Sequence, residues 1–313
     1  MGKIKPLYEN MQACFVITSD NHIDSKHPFP RIPMSFLRRS LKDAENAEIP
    51  VDAYITVGDT TSRGNETNWE MAKKCFADCK PAKQIMLTIG NHDTWNDDGY
   101  EAAIEQYLKS ACEISGRKQD KTYFSAVING CKLIFLGTTS DSGCAAVLGG
   151  EQLSWLGREL EHAPEGKPVF VFCHQSLNGR HGLPRTWDKQ EKPDRAPDEG
   201  GIGDESEQLA DILKSHKNVF YFSGHSHMGL CGENMKEKEG YASFEKEDGL
   251  ELINLPSLAC GNHHGETDKM GIGVVVEVYA GRVVIRPRSF SRRRMNKKII
   301  IRDRKPYLEV KLI

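Results

Sequence analysis

Short apolar runs alternate with amphipathic stretches through the first half of the chain. Residues 13–18 (Ala-Cys-Phe-Val-Ile-Thr) form an unbroken apolar run of strand length, which predicts a buried strand. Residues 34–48 set Phe36, Leu37, Leu41 and Ala44 on one stripe at helical spacing. The same reading gives strands at 52–57 and 84–89 and helices at 67–79 and 100–111. Strands at 122–128 and 131–137 are joined by Asn129-Gly130, a dipeptide that supplies the positive φ angles of a tight hairpin. Leu153, Leu156 and Leu160 mark a further helix, 168–173 returns to strand, 206–215 is helical and 218–223 is again strand.

The pattern changes towards the end. Residues 251–255, 272–279, 282–288, 297–301 and 307–312 are all strand-like, with turns at Ala280-Gly281 and around Arg304-Lys305-Pro306. Alternating strands and helices followed by meander strands imply an α/β sandwich of two sheets, one mostly parallel and one mixed. No linker, repeat or low-complexity segment divides residues 1–313, so a single domain is expected, β-rich from about 250. Residues 178–205 have no period and are rich in Gly, Pro and charge. They predict a long loop, either a lid or recognition element or a plain insertion.

Composition narrows the function classes. Lys and Arg number 42 against 44 Asp and Glu, so no broad field draws the chain to nucleic acid or an anionic membrane. No apolar stretch approaches the length of a membrane span. The nine scattered cysteines form no framework of pairs, and several, such as Cys14, Cys131 and Cys173, sit in strand-like runs as small hydrophobes. A reducing, cytoplasmic setting is expected.

The chemistry sits where the strands end. Asp20-Asn21-His22 follows the first strand and Gly58-Asp59 the second, with Arg63-Gly64 downstream. Gly90-Asn91-His92-Asp93 follows the third, His174 follows strand 168–173, and Gly224-His225-Ser226-His227 follows strand 218–223. Taken singly these are turn dipeptides, helix caps and ordinary histidines. Together, five apolar runs each end in His, Asp or Asn, and the carboxyl ends of strands are where open α/β sheets bind ligands.

This series closely resembles the calcineurin-like metallophosphoesterases, with the match running over residues 13–227. The resemblance implies a four-layer α/β/β/α sandwich with two mixed sheets, and a hydrolase acting on phosphate esters through a hydroxide bridging two metal ions. One ion would be held by Asp20, His22, Asp59 and His227. The other would be held by Asp59, Asn91, His174 and His225, with Asp59 bridging and Asn91 also turned toward the phosphate. His92 would be the catalytic residue that is not a ligand. The donor set suits Mn, Fe or Zn, since imidazole and carboxylate lack the thiolates that select soft sites. A small phosphate ester is the expected substrate, with no membrane and no nucleic-acid partner.

Weaker expectations attach to neighbouring residues. Arg63 is similar in placement to the phosphate-binding arginine of the protein serine/threonine phosphatase branch, and its alternative is a solvated loop residue. Asp93 either orients the His92 ring or caps a helix. Many relatives carry proline two residues after the third-motif histidine, where this chain has Ser176, which leaves the path of that loop open. Arg180, His181, Arg185 and Trp187 fall in the long loop. Gly261-Asn262-His263-His264-Gly265 forms either an entrance wall or a surface turn. Two other classes share this fold: a non-catalytic scaffold, against which the presence of His92 and every ligand argues, and a DNA-repair nuclease. The charge balance argues against the nuclease, although the run Arg292-Arg293-Arg294 with Lys297-Lys298 is locally basic, its alternative being a solvated loop between strands.

Overall fold

Strand β1, Ala13–Thr18, lies at the centre of the first of two six-stranded sheets. The computed structural model describes residues 2–183, 200–232, 241–261, 270–291, 301–302 and 305–313. The basic run Arg292–Arg294 with Lys297-Lys298, Arg185 and Trp187, residues 262–265 and all but the last residue of the strand expected at 297–301 lie outside them.

The first sheet continues through β2 (Ala53–Val57) and β3 (Gln84–Thr88), both parallel to β1. On its other side β10 (Ile272–Tyr279), β11 (Arg282–Ser289) and β12 (Leu308–Lys311) run antiparallel in turn. The second sheet holds a hairpin of β4 (Phe124–Ile128) and β5 (Cys131–Phe135), then β6 (Val169–Phe172), β7 (Val219–Ser223), β9 (Leu250–Asn254) and the edge strand β8 (Phe244–Glu247). Strands β5, β6, β7 and β9 are mutually parallel, and the outer two pairs are antiparallel. Both sheets are therefore mixed.

Alternation along each strand builds the layers. Ala13, Phe15 and Ile17 of β1 point to the core between the sheets, as do Ile55, Phe170, Phe172, Phe220 and Phe222. Cys14 and Val16 point the other way, into a core covered by α1 (Arg31–Glu45), α2 (Glu66–Ala77) and α4 (Tyr100–Ser115). On the far face of the second sheet, Ile134, Val171 and Tyr221 pack under α5 (Gly149–Glu161) and α6 (Ser206–Lys214). The order of layers is helix, sheet, sheet, helix. Phe15 of β1 meets Phe170 of β6 edge-on at 5.5 Å, an aromatic contact that joins the two sheets across the middle, while Phe135 stacks on Phe172 at 4.8 Å within the second sheet. Each buried phenylalanine contributes on the order of 1.5–3 kcal/mol.

Most expected elements form, with shifted ends. The first helix starts three residues before its predicted boundary, with Pro33 in its first turn where a missing N–H costs nothing. It stops short of 48 because the Glu48 N–H is taken by the Ile4 carbonyl at 2.8 Å. Asn129 and Gly130 have φ of 50° and 81°, as the hairpin requires. Strand β8 was not anticipated, although Asp248-Gly249, with φ of 47° and 89°, is the same hairpin signal. The long loop is tied at its base. Asn178 accepts from the Ile202 N–H at 3.0 Å and donates to the Gly203 carbonyl at 2.8 Å. Among the described residues, no helix is long and apolar enough to cross a membrane.

Candidate metal centre

All five predicted strand ends open on one rim. The loops after β1, β2 and β3 come from the first sheet, and those after β6 and β7 from the second. The backbone turns sharply in three of these loops, those after β1, β2 and β7. Asp20, His22, Asp59, His225 and His227 have φ of 56°, 47°, 48°, 67° and 47°. Left-handed backbone costs a residue with a Cβ roughly 1–3 kcal/mol and persists where surrounding bonds hold it, often at functional sites. Here the first two loops hold one another: the His22 N–H donates to the Asp59 carbonyl and the Ile23 N–H to the Thr60 carbonyl, both at 3.0 Å.

Two glycines let the loops close. Gly58 has φ of 76°, and a Cβ there would stand 2.6 Å from the His174 Cβ and nearer still to its ring. A Cβ on Gly224 would stand 2.5 Å from the Asp20 carboxylate. Cross-sheet hydrogen bonds use the same closeness. His174 Nδ1–H donates to the Val57 carbonyl at 2.8 Å, and the His225 N–H donates to Asp20 Oδ2 at 3.2 Å. A carbonyl only accepts, so the proton sits on His174 Nδ1, and Nε2 presents its lone pair to the cavity.

The ligand-type atoms meet in two groups that share one member. Those of Asp20, His22, Asp59 and His227 lie within 4.8 Å of one another, and so do those of Asp59, His174 and His225. His22 Nε2 is 2.9 Å from His227 Nε2, His227 Nε2 is 3.0 Å from Asp20 Oδ1, and His174 Nε2 is 3.1 Å from Asp59 Oδ2. Two donors each about 2.1 Å from a common ion stand roughly 3 Å apart when adjacent, so these spacings fit coordination. Asn91 is buried at the start of the short helix α3 (Asn91–Thr94). Its amide oxygen, Asp20 Oδ1, Asp59 Oδ2 and His174 Nε2 are buried with no hydrogen-bond partner among the described residues. Buried lone pairs left this way are costly unless a cation takes them.

Electrostatics point the same way. Burial opposes ionisation of Asp20 and Asp59, yet His227 and His174 hold the first, and His174 and His92 the second, below the ordinary carboxylate value. Burial and the charge on His174 push His225 down to about 3. Burial opposes charge at His174 too, but Asp59 and Asp20 raise it to about 9, so two buried carboxylates draw positive charge to the place where a cation would fit.

His92 stands beside this set. Its N–H donates to Asp59 Oδ1 at 2.9 Å, and its Nδ1–H donates to the Ser62 carbonyl at 3.0 Å. The ring lies edge-on to His22 at 4.6 Å and tilted against Trp95 at 4.0 Å. The expectation that Asp93 orients this ring is corrected. Its carboxylate instead accepts from the N–H groups of Gly90, Thr60 and Thr61 and from the Thr61 hydroxyl, at 2.9–3.2 Å, so it caps α3 and anchors the β2 loop. Arg63 is half exposed, with its guanidinium 3.4 Å from Asp97.

Two supporting residues were not anticipated from the sequence. Trp95 was unmarked, because a tryptophan after a turn has many uses. Asn254, at the end of β9, donates to Ser176 Oγ, Ser223 Oγ and the Gly224 carbonyl at 3.1, 3.0 and 2.9 Å, and accepts from Ser226 at 2.8 Å. In place of proline, Ser176 therefore joins a buried polar network under the His225–His227 loop.

Fold and site together define an α/β sandwich whose strand ends present an Asp/His set suited to two metal ions. The chain belongs to the calcineurin-like phosphoesterase family, which it matches over residues 15–229. Its structure is similar to that of a dimetal phosphatase from Danio rerio, with a TM-score of 0.61 and 14% identity over 90% of this chain and 98% of the other. A purple acid phosphatase from yellow lupin seeds gives a TM-score of 0.58 and 13% identity over 90% of this chain and 52% of the other, so this chain spans about half of it. A Thermus sulfate thiohydrolase gives 0.50 and 10% over 91% and 58%. At such identities these likenesses establish the fold alone. No curated protein matches the sequence.

Proposed function

We propose that this protein hydrolyses phosphate esters with the help of two transition-metal ions. The carrying observation is the pair of buried ligand groups that share Asp59. Asp20, His22, Asp59 and His227 would hold one ion, and Asp59, Asn91, His174 and His225 the other. Mn, Fe and Zn suit these donors. When bound, the ions would supply Lewis acidity toward the phosphoryl oxygens and acidify water at the site.

The protein's own groups orient and move protons. The Val57 carbonyl fixes the His174 tautomer, and the Asp59 carboxylate is aimed by the His92 N–H. With Nδ1–H engaged by Ser62, the His92 ring in its imidazolium form has an Nε2 proton to hand to the departing alkoxide, and becomes neutral in doing so. The same ring, when charged, stabilises negative charge growing on phosphate. The phosphate contact proposed for Arg63 requires its guanidinium to leave Asp97, an exposed pair that holds it by under about 1 kcal/mol. The substrate is a small ester, with no membrane partner, and the balanced charge of the chain disfavours nucleic acid. The setting is the cytoplasm.

The test is a panel of p-nitrophenyl phosphate, its bis ester and cyclic nucleotides, assayed on protein reconstituted with Mn, Fe or Zn. Hydrolysis should require metal and stop on chelation. Protein that carries two metals per chain and cleaves none of the panel would overturn the reading.

A further inference from the structure

A cysteine shares the rim with the first ligand group. Strand β9 runs parallel to β7, so its carboxyl end opens on the same side as the His225–His227 loop. The chain beyond it is fastened to the β1 loop. The Leu258 N–H donates to the Ser19 carbonyl at 2.9 Å and the Ala259 N–H to the Asp20 carbonyl at 3.2 Å. The Ser257 hydroxyl donates to that same Asp20 carbonyl at 3.1 Å and accepts from the Cys260 N–H at 2.9 Å. As a result, Cys260 Sγ and the ligand nitrogens of His22 and His227 all lie within 4.8 Å of one another.

We propose that Cys260 is a thiolate ligand to the ion held by Asp20, His22, Asp59 and His227. The proposal rests on the two-metal reading above. Ligands of a single ion, each about 2.0–2.3 Å from it, stand no more than roughly 4.6 Å apart. The thiol already stands within 4.8 Å of both imidazole nitrogens, on a segment pinned to the Asp20 loop, so side-chain movement alone would bring Sγ into that reach. The two ion positions then differ in kind. The Asp20 position offers nitrogen, oxygen and sulfur, and the His174 position nitrogen and oxygen only. Sulfur favours Zn or ferrous iron over Mn, so the first position would select a softer ion than the second.

The experiment uses the full chain, stripped of metal and titrated with Co(II). Ligand-field absorption in the visible reports that cobalt is bound, and a thiolate-to-cobalt charge-transfer band in the near ultraviolet reports sulfur in its sphere. Both should appear in the unaltered protein. The charge-transfer band should vanish in Cys260→Ser and Cys260→Ala, with ligand-field absorption kept, and should persist in Cys79→Ala, whose thiol lies by the Cys75 carbonyl. Zn affinity of Cys260→Ser should fall roughly 10–100-fold, with Mn affinity changing less. Cobalt that binds without the charge-transfer band, or with a band unchanged in Cys260→Ser, refutes the thiolate ligand and leaves the two-metal reading standing. Failure of cobalt to bind at all removes both.

Discussion

Replacing Gly58 by alanine tests how tightly the rim is built. Gly58 sits at φ of 76°, and its added Cβ would press on the His174 ring and stand 2.6 Å from the His174 Cβ. Left-handed backbone costs alanine about 1–2 kcal/mol relative to glycine. His174 is fully buried and bonded to the Val57 carbonyl at 2.8 Å, so it cannot swing into solvent. Forcing it aside adds about 1–3 kcal/mol of overpacking. The sum is about 2–5 kcal/mol, or roughly 3–8 °C in thermal midpoint for a chain of this size. Gly116 provides the control. It is left-handed too, with φ of 70°, but a Cβ there meets nothing within 4 Å, so Gly116→Ala carries only the backbone cost. The functional consequence is specific to Gly58. Moving His174 should empty the ion position that it shares with Asp59 and His225 and spare the Asp20 position. Metal stoichiometry by mass spectrometry and thermal melts of the metal-free proteins read the two effects. If Gly58→Ala melts like Gly116→Ala and still binds two ions per chain, the steric argument is wrong.

Other expectations follow from the same geometry. His92→Ala should keep both metals while turnover falls by roughly 10²–10⁴, whereas Asp59→Asn should lose metal and turnover together; equal metal loss in the two variants would contradict the separate roles. Asn254→Ala strands the Ser176, Ser223 and Gly224 groups that the amide satisfies, and should cost about 2–4 kcal/mol. It should also weaken metal binding through the His225–His227 loop, as seen by calorimetric titration. Glu247 is held down to about 2 by hydrogen bonds from Arg180 and then Lys214, bonds that tie residues 178–183 to α6. A depressed carboxylate stabilises fully above its ordinary value of 4.5 and loses that stability as pH falls toward 2. Glu247→Gln should therefore lower stability at pH 7 by about 1–2 kcal/mol after solvent screening and flatten its decline in acid. Urea melts across pH read this, and an unchanged acid profile would refute it.

Much of the frame could be read along the chain, because periodicity is local. Apolar runs of five or six residues ending in Asp, His or Asn marked the strands and the rim, and Asn129-Gly130 marked a hairpin. Asp248-Gly249 carried an equal signal for β8, which the shortness of Phe244–Glu247 hid. What only the tertiary structure decided was pairing between distant segments. It put β9 in the second sheet and β10 to β12 in the first, made Asp93 a loop anchor, and set Asn254 beneath the His225 loop. It also brought Ser257 to a carbonyl 237 residues away, and with it Cys260 to the ligands. A turn residue announces its own backbone but not the side chain it will face, since that depends on which strand ends the two sheets bring together once their apolar faces are buried.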